Sequence, residues 1–107
     1  MTYSYEFTEL VIEDIDATLS YITNILCNKG AATKLMIELQ NGIESICKFP
    51  FAYPNCKCYF LEDESIRHIN INNYVLIYKV DKFKIVFLRL RHSKQDKLLW
   101  RAKWYKT

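Results

Sequence analysis

Glycine and proline are scarce in this sequence, with two of each among 107 residues. This scarcity excludes collagen-like repeats and argues against a disordered chain rich in these residues. Half of the residues are hydrophobic and 15% are aromatic, which is enough to build the core of one small domain. We therefore expect residues 1–107 to form a single domain.

Long apolar runs are also absent. No stretch approaches the roughly 18 uninterrupted apolar residues that a membrane-spanning helix needs. The N-terminus has neither the basic region nor the apolar core of a secretory signal. These absences predict a cytoplasmic protein that does not engage a membrane.

The four cysteines do not follow a metal-binding pattern. Cys56 and Cys58 are separated by one residue rather than two, and His68 and His92 do not complete a zinc motif. In a cytosolic protein, cysteines are expected to be free thiols rather than disulfides. We expect neither a bound metal nor another cofactor.

Charge is distributed unevenly along the chain. Residues 1–66 contain ten acidic and four basic side chains, whereas residues 67–107 contain two acidic and eleven basic ones. The overall net charge of +3 hides this division. The C-terminal part is therefore predicted to face an anionic partner.

The pattern of apolar residues predicts an α+β fold. Apolar and polar residues alternate over residues 3–7, which is typical of a short strand. Thr8 can cap a helix of about residues 9–27, and Asn28 can cap a second helix that ends before Pro50. Because the two helices are of nearly equal length and have almost no linker, we expect an antiparallel hairpin packed on one sheet.

Three strands are predicted after a loop that spans residues 50–65. They are Ile66–Ile71, Tyr74–Val80 and Lys84–Arg91. The short polar segments between them predict hairpin turns, so the strands should form an antiparallel meander. The basic segment 93–107 is predicted to be a short C-terminal helix or docking tail.

This order of elements resembles the RelE/ParE superfamily of toxins from type II toxin–antitoxin systems, which includes plasmid stabilisation proteins. The residues that carry the resemblance lie along nearly the whole chain: Phe7-Thr8, Asp14, Tyr21-Ile22, Ala31-Ala32, Phe49-Pro50, Ile66-Arg67, Asn73–Val80 and Leu90–Asp96. The resemblance implies an N-terminal strand, an antiparallel helical hairpin, a three-stranded meander and a short C-terminal helix or tail. It also implies a cognate antitoxin as partner.

Two activities are associated with this superfamily, and the fold alone does not distinguish them. RelE-like members cleave mRNA on the ribosome, whereas ParE-like members inhibit DNA gyrase. We expect a ribosome-dependent, metal-independent mRNA endonuclease. The alternatives are a gyrase inhibitor without nuclease activity and an attenuated homologue that binds only its antitoxin. Two departures from the nuclease members are Val75, where many have arginine, and Asp96, where some have an aromatic residue.

Strand alternation predicts a cluster of arginines on the open face of the sheet. Arg89 and Arg91 share one face of the last strand, and Arg67 in the first meander strand is expected opposite them. The alternate positions of the last strand are aliphatic and should pack on the helices: Val86, Leu88 and Leu90. Clustered guanidiniums can bind phosphate and stabilise the transition state of RNA cleavage. We predict Arg67 and Arg91 as catalytic phosphate ligands and Arg89 as an RNA-binding residue, the alternative being solvated arginines paired with nearby carboxylates.

His92 is the predicted catalytic acid or base, because imidazole ordinarily titrates near neutral pH. It reaches the predicted cleft only if the last strand ends at Arg91. If the strand continues regularly, His92 instead lies on the helix-facing side with Leu90.

Two lysines outside the strands are further RNA-binding candidates. Lys57 lies in the long loop beside Tyr59 and Phe60, and this mixture of charge and aromatic surface suits single-stranded RNA. The alternative is that these aromatic residues close one end of the core. Lys94 begins the basic tail, which could contact nucleic acid or an acidic antitoxin segment.

Overall fold

The structure, a computed structural model, describes residues 3–54 and 66–93. Its elements are β1 (Ser4–Phe7), α1 (Glu9–Ser20), a π-helix (Tyr21–Ile25), α2 (Lys29–Lys48), β2 (Ile66–Ile71), β3 (Tyr74–Asp81) and β4 (Lys84–His92). The predicted α+β fold, with its N-terminal strand, helical hairpin and three-stranded meander, is confirmed. The predicted C-terminal helix or tail lies outside the described residues, apart from Ser93.

Both helices begin at the predicted capping residues. The Thr8 hydroxyl accepts a hydrogen bond from the Val11 backbone N–H at 3.1 Å, and the Asn28 side-chain oxygen accepts one from Ala31 N–H at 3.0 Å. Each cap satisfies a backbone donor that the helix itself leaves unpaired. The second helix ends at Lys48, shortly before the proline that was predicted to stop it.

The end of the first helix differs from the prediction of one regular helix. Its last turn is a π-helix, in which Leu26 N–H donates to the Tyr21 carbonyl, five residues earlier, at 3.1 Å. Just beyond this turn, Asn28 N–H donates to the Ile22 carbonyl at 3.0 Å. Cys27 then adopts a positive φ of 50°, which ends the helix. The helix therefore closes with a wider turn than its apolar periodicity indicates.

One sheet contains the four strands of residues 3–54 and 66–93, in the order β1-β4-β3-β2. β1 runs parallel to β4, and the other neighbouring pairs are antiparallel. Asn72 and Lys82 have φ values of 57° and 56° in the two tight turns. Asparagine tolerates this conformation better than most residues, and the turns produce the predicted meander.

A β-bulge in β4 interrupts the regular alternation of its side chains. Tyr78 of β3 pairs with Phe87, but the preceding residue Ile77 pairs with Arg89. Leu88 is therefore an extra residue in β4. An extra residue changes which later side chains share a face with the earlier ones.

The bulge makes the predicted division of β4 into two faces wrong. The β4 residues in the core between sheet and helices are Ile85, Phe87 and Leu90. Val86 and Leu88, which were predicted to face the helices, are only half-buried. Leu90 is thus the only one of the three predicted aliphatic residues that belongs to this core.

Both helices pack on the same face of the sheet, where α2 approaches β2 closely. A side chain at Gly42 would place its Cβ 3.0 Å from the Cδ1 atom of Ile71. The absence of a side chain at Gly42 therefore allows this approach. Within the ranges that the structure describes, no helix is long and apolar enough to cross a membrane.

Candidate functional site

The Arg89 side chain is bound to α1 and is not on an open surface. Its Nε donates to Asp14 Oδ2 at 2.8 Å, and its Nη2 donates to Asp14 Oδ1 at 3.1 Å. Asp14 Oδ2 also accepts the backbone N–H of Leu90 at 3.0 Å. Because Arg89 is only 9% exposed and bonded within the protein, the prediction that its side chain lies on an open surface is wrong, and its RNA-binding role stays a prediction.

The ends of β1 and β4 explain why α1 reaches this arginine. The pairing of β1 with β4 stops at Phe7 and Phe87, which leaves the following edge of β4 to α1. The Thr8 hydroxyl lies 3.1 Å from the carbonyl oxygens of both Phe87 and Leu88. The first helix is therefore attached to β4 at the bulge, and its first two turns bring Asp14 to the arginine.

Arg67 has a different neighbourhood from the one predicted. It pairs with Tyr78 in the sheet, and its Nη1 donates to the Tyr53 carbonyl oxygen at 2.6 Å. Its guanidinium carbon also lies 5.2 Å from the centre of the Phe51 ring. Arg91 pairs with Val75, which is three residues along β3 from the partner of Arg67. Because three is an odd number of positions, the Arg91 side chain faces the opposite side of the sheet. The predicted grouping of Arg67 with Arg91 is therefore wrong.

His92 lies on the helix-facing side of the sheet, because β4 continues regularly beyond the bulge. It pairs with Tyr74, and the two rings meet edge to face with centroids 5.1 Å apart. This placement is the predicted alternative in which His92 shares a face with Leu90. As successive strand residues, Arg91 and His92 face opposite sides of the sheet.

The three predicted catalytic residues consequently lie in three separate places. Arg67 holds the segment after α2, Arg91 faces away from the helices, and His92 lies beside the β2–β3 turn. Lys57 and Lys94, predicted to bind RNA, lie outside the described residues. The roles of Arg67, Arg91 and His92 in cleavage stay predictions, but the single cluster on which those roles depended is not formed.

The sheet face away from the helices carries basic residues that the sequence interpretation did not group with Arg91. His68 and Lys79 occupy positions that alternate with the helix-facing residues of β2 and β3, and both are half-buried, as is Arg91. Alternation within β2 was the available signal, because His68 must face away from its neighbour Arg67. Ile77, which pairs with His68 and lies two residues before Lys79 in β3, is fully buried although it is not part of the core under the helices.

The buried phenol of Tyr78 connects the sheet to the segment after α2. Its hydroxyl donates to the Pro50 carbonyl oxygen at 2.7 Å. Burial raises the pKa of this phenol, the charge of Arg67 partly opposes that rise, and Tyr53 adds to it. Tyr53 in turn is hydrogen-bonded to the Ser45 hydroxyl. These contacts make Tyr78 and Arg67 part of a structural junction.

A pocket of about 570 Å³ opens beside Tyr74 and His92. Its walls come from the π-helix, the first turns of α2, the β2–β3 turn and the end of β4. Of the residues that the structure describes, one lysine, Lys34, lies in its lining. Among residues 3–54 and 66–93, no three His, Cys, Asp or Glu side chains come together as a metal site.

Comparison with known proteins gives one family match and several similar structures. A family model described as the ParE toxin of the type II toxin–antitoxin system parDE matches residues 5–97. No functionally curated protein matches the sequence.

The similar structures are all distant in sequence. The chromosomal ParDE toxin–antitoxin system from P. aeruginosa has a TM-score of 0.68 at 15% identity, covering 87% of this chain and 98% of that one. The toxin–antitoxin complex RelBE2 from Mycobacterium tuberculosis has a TM-score of 0.56 at 16% identity, covering 86% and 99%. A conserved hypothetical protein from Helicobacter pylori has a TM-score of 0.54 at 16% identity, covering 87% and 97%. At these identities the similarity shows the fold.

Proposed function

Because the chain belongs to the ParE toxin family of type II toxin–antitoxin systems, we propose that it inhibits DNA gyrase through a protein interface and does not cleave mRNA. Two of the similar structures are toxin–antitoxin systems, which supports a cognate antitoxin as its partner. Because gyrase is a cytoplasmic enzyme, we place the action of this toxin in the cytoplasm.

The dispersal of the predicted cleavage residues carries this proposal. Metal-independent RNA cleavage requires phosphate ligands and an acid or base at one scissile phosphate. Arg67 and His92 lie on the helix-facing side of the sheet, and Arg91 lies on the other side. Arg89 is already bound by Asp14. This arrangement favours a toxin that acts by binding over one that cleaves.

The helical hairpin also carries exposed apolar side chains that suit a protein interface. These side chains are between 47% and 67% exposed: Ile12, Ile25, Met36 and Ile37. Exposed apolar residues mark a protein-binding surface where they form a contiguous patch. The antitoxin and gyrase are both proteins that such a surface could bind.

A second candidate function, mRNA cleavage, is favoured by the basic residues on the sheet face away from the helices. Arg91, His68 and Lys79 share this face. In this candidate Arg91 would bind phosphate, and His68 would replace His92 as the acid or base. His68 and Arg91 lie on strands separated by one strand and two residue positions apart along the sheet, at least about 10 Å from each other, so both reach one scissile phosphate only if it is bound between them.

One preparation of the protein can distinguish the two candidates. We expect a translating ribosome extract to retain intact mRNA after incubation with the purified toxin, whereas gyrase from the source organism should fail to supercoil relaxed plasmid. Mapping of mRNA 5′ ends and agarose electrophoresis of the plasmid measure the two outcomes. Cleaved mRNA with normal supercoiling would reject the gyrase proposal, and loss of cleavage in Arg91→Ala would then support the second candidate.

A further inference from the structure

The pocket beside His92 lies where the helical hairpin meets the end of the sheet. Its volume of about 570 Å³ is within the range that encloses a small organic ligand. It lies on the helix side of the sheet, away from Arg91, and its use does not depend on which proposed target is correct. None of the functions considered above assigns a role to it.

The π-helix shapes one wall of this pocket. The hydrogen bond from Leu26 N–H to the Tyr21 carbonyl widens the last turn of the first helix. Tyr21, Ile22 and Leu26 all line the pocket.

Three rings in the lining offer surfaces for a planar ligand. Tyr74 and His92 already form an edge-to-face pair with centroids 5.1 Å apart. Tyr21 lies across the pocket in the helical wall and is 52% exposed. The buried side chains of Ile22 and Leu35 supply an apolar floor. Nucleobases bind to proteins by stacking on rings of this kind.

The one charged side chain in the described lining of the pocket favours a negative ligand. The lining residues, all within the described part of the chain, include Lys34 and no aspartate or glutamate. The nearby carboxylate of Glu38 accepts a hydrogen bond from the lining residue Asn72 at 2.9 Å. The pocket also lies at the N-terminal end of α2, where Asn28 and Ala31 contribute to its wall. The partial positive charge at the start of a helix adds to that of the lysine.

We propose that this pocket binds a nucleoside monophosphate. The base lies against the rings of Tyr21, Tyr74 and His92, and the phosphate lies near Lys34 and the first turn of α2. The nucleotide is either free in solution or an unstacked residue of a nucleic acid strand, since both present the same base and phosphate.

Isothermal titration of the purified protein with GMP, AMP, CMP and UMP tests the proposal. We expect saturable binding of at least one of them, and weaker binding of the matching nucleoside and of inorganic phosphate. Lys34→Gln should lower the affinity for the monophosphate by about tenfold, because a charge-assisted hydrogen bond is lost. Lys48→Gln is the matched control, because Lys48 is an exposed lysine of the same helix outside the pocket. It should bind as the unchanged protein does.

A second variant tests the ring contacts. Tyr21→Leu alters an exposed side chain. We expect it to weaken the binding of the nucleoside and of the monophosphate but not the binding of inorganic phosphate. Tighter binding of a trinucleotide than of the monophosphate, also weakened by Lys34→Gln, would identify a nucleic acid strand as the source. Equal binding would identify the free nucleotide. Absence of saturable binding, or equal effects of the Lys34 and Lys48 substitutions, would overturn the proposal.

Discussion

The carboxylate of Asp14 and the guanidinium of Arg89 form a buried ion pair with hydrogen bonds of 2.8 and 3.1 Å. The side chains are 14% and 10% exposed, respectively. The same carboxylate accepts the Leu90 N–H, so it pairs with both the side chain and the backbone of β4. This contact holds α1 against the part of β4 that β1 does not reach.

Removal of Asp14 should therefore destabilise the domain strongly. Asp14→Ala leaves the buried charge of Arg89 and the Leu90 N–H without their acceptor. We expect the free energy of unfolding to fall by about 3–5 kcal/mol. Asp16→Ala, on an exposed position of the same helix, should change it by no more than about 0.5 kcal/mol. Urea unfolding followed by circular dichroism measures both, and similar losses in the two variants would contradict the assigned role of the pair.

The hydrogen bond from Tyr78 to Pro50 should contribute measurably to stability. Tyr78→Phe removes the hydroxyl that donates to the Pro50 carbonyl at 2.7 Å while keeping the buried ring. We expect a loss of about 1 kcal/mol in the free energy of unfolding at neutral pH. Tyr21→Phe is the matched control, since that side chain is exposed, and it should have no measurable effect.

The same phenol should make stability depend on alkaline pH. Burial raises the pKa of Tyr78 in the folded protein, whereas the unfolded phenol ionises near pH ~10. Below that pH the group is neutral in both states. Above it only the unfolded state loses the proton, so the free energy of unfolding falls as pH rises. In unfolding titrations between neutral and alkaline pH, the free energy of unfolding should fall less steeply with pH in Tyr78→Phe than in the unchanged protein. The same slope in both proteins would contradict burial of this group.

The two glycines of α2 should respond differently to substitution. Gly30→Ala places a Cβ whose nearest neighbour is the Asn28 side-chain oxygen at 3.6 Å. We expect it to stabilise the protein by about 0.5 kcal/mol through higher helix propensity. Gly42→Ala gains the same propensity but must displace Ile71, 3.0 Å away, so it should be the less stable of the two. Thermal unfolding of both variants measures the order, and the reverse order would contradict the close packing of α2 on β2.

Local signals in the sequence were sufficient to predict the elements of the fold. The capping roles of Thr8 and Asn28 depend on residues three positions away, and both capping predictions are confirmed. Likewise, Pro50 ends α2 because of its effect on the preceding backbone. The π-helix was not predictable, because its apolar residues keep the spacing of an ordinary helix.

The candidate site was less predictable because its residues depend on the register and on distant contacts. One extra residue, Leu88, reverses the alternation in β4, and no side chain signals its presence. Asp14 and Arg89 are 75 positions apart, and the sequence contains several other carboxylates that could have paired with this arginine. His92 was assigned correctly to the helix side only under the condition that the strand stayed regular to its end.

Supercoiling of relaxed plasmid by purified gyrase, titrated with the purified toxin, tests the central proposal most directly. We predict loss of supercoiling as the toxin reaches the gyrase concentration, and its recovery when the cognate antitoxin is added. Because the proposal depends on binding and not on cleavage, the Arg91→Ala/His92→Ala variant should also bind the antitoxin and inhibit gyrase. Unimpaired supercoiling in the presence of excess folded, antitoxin-binding toxin would contradict it.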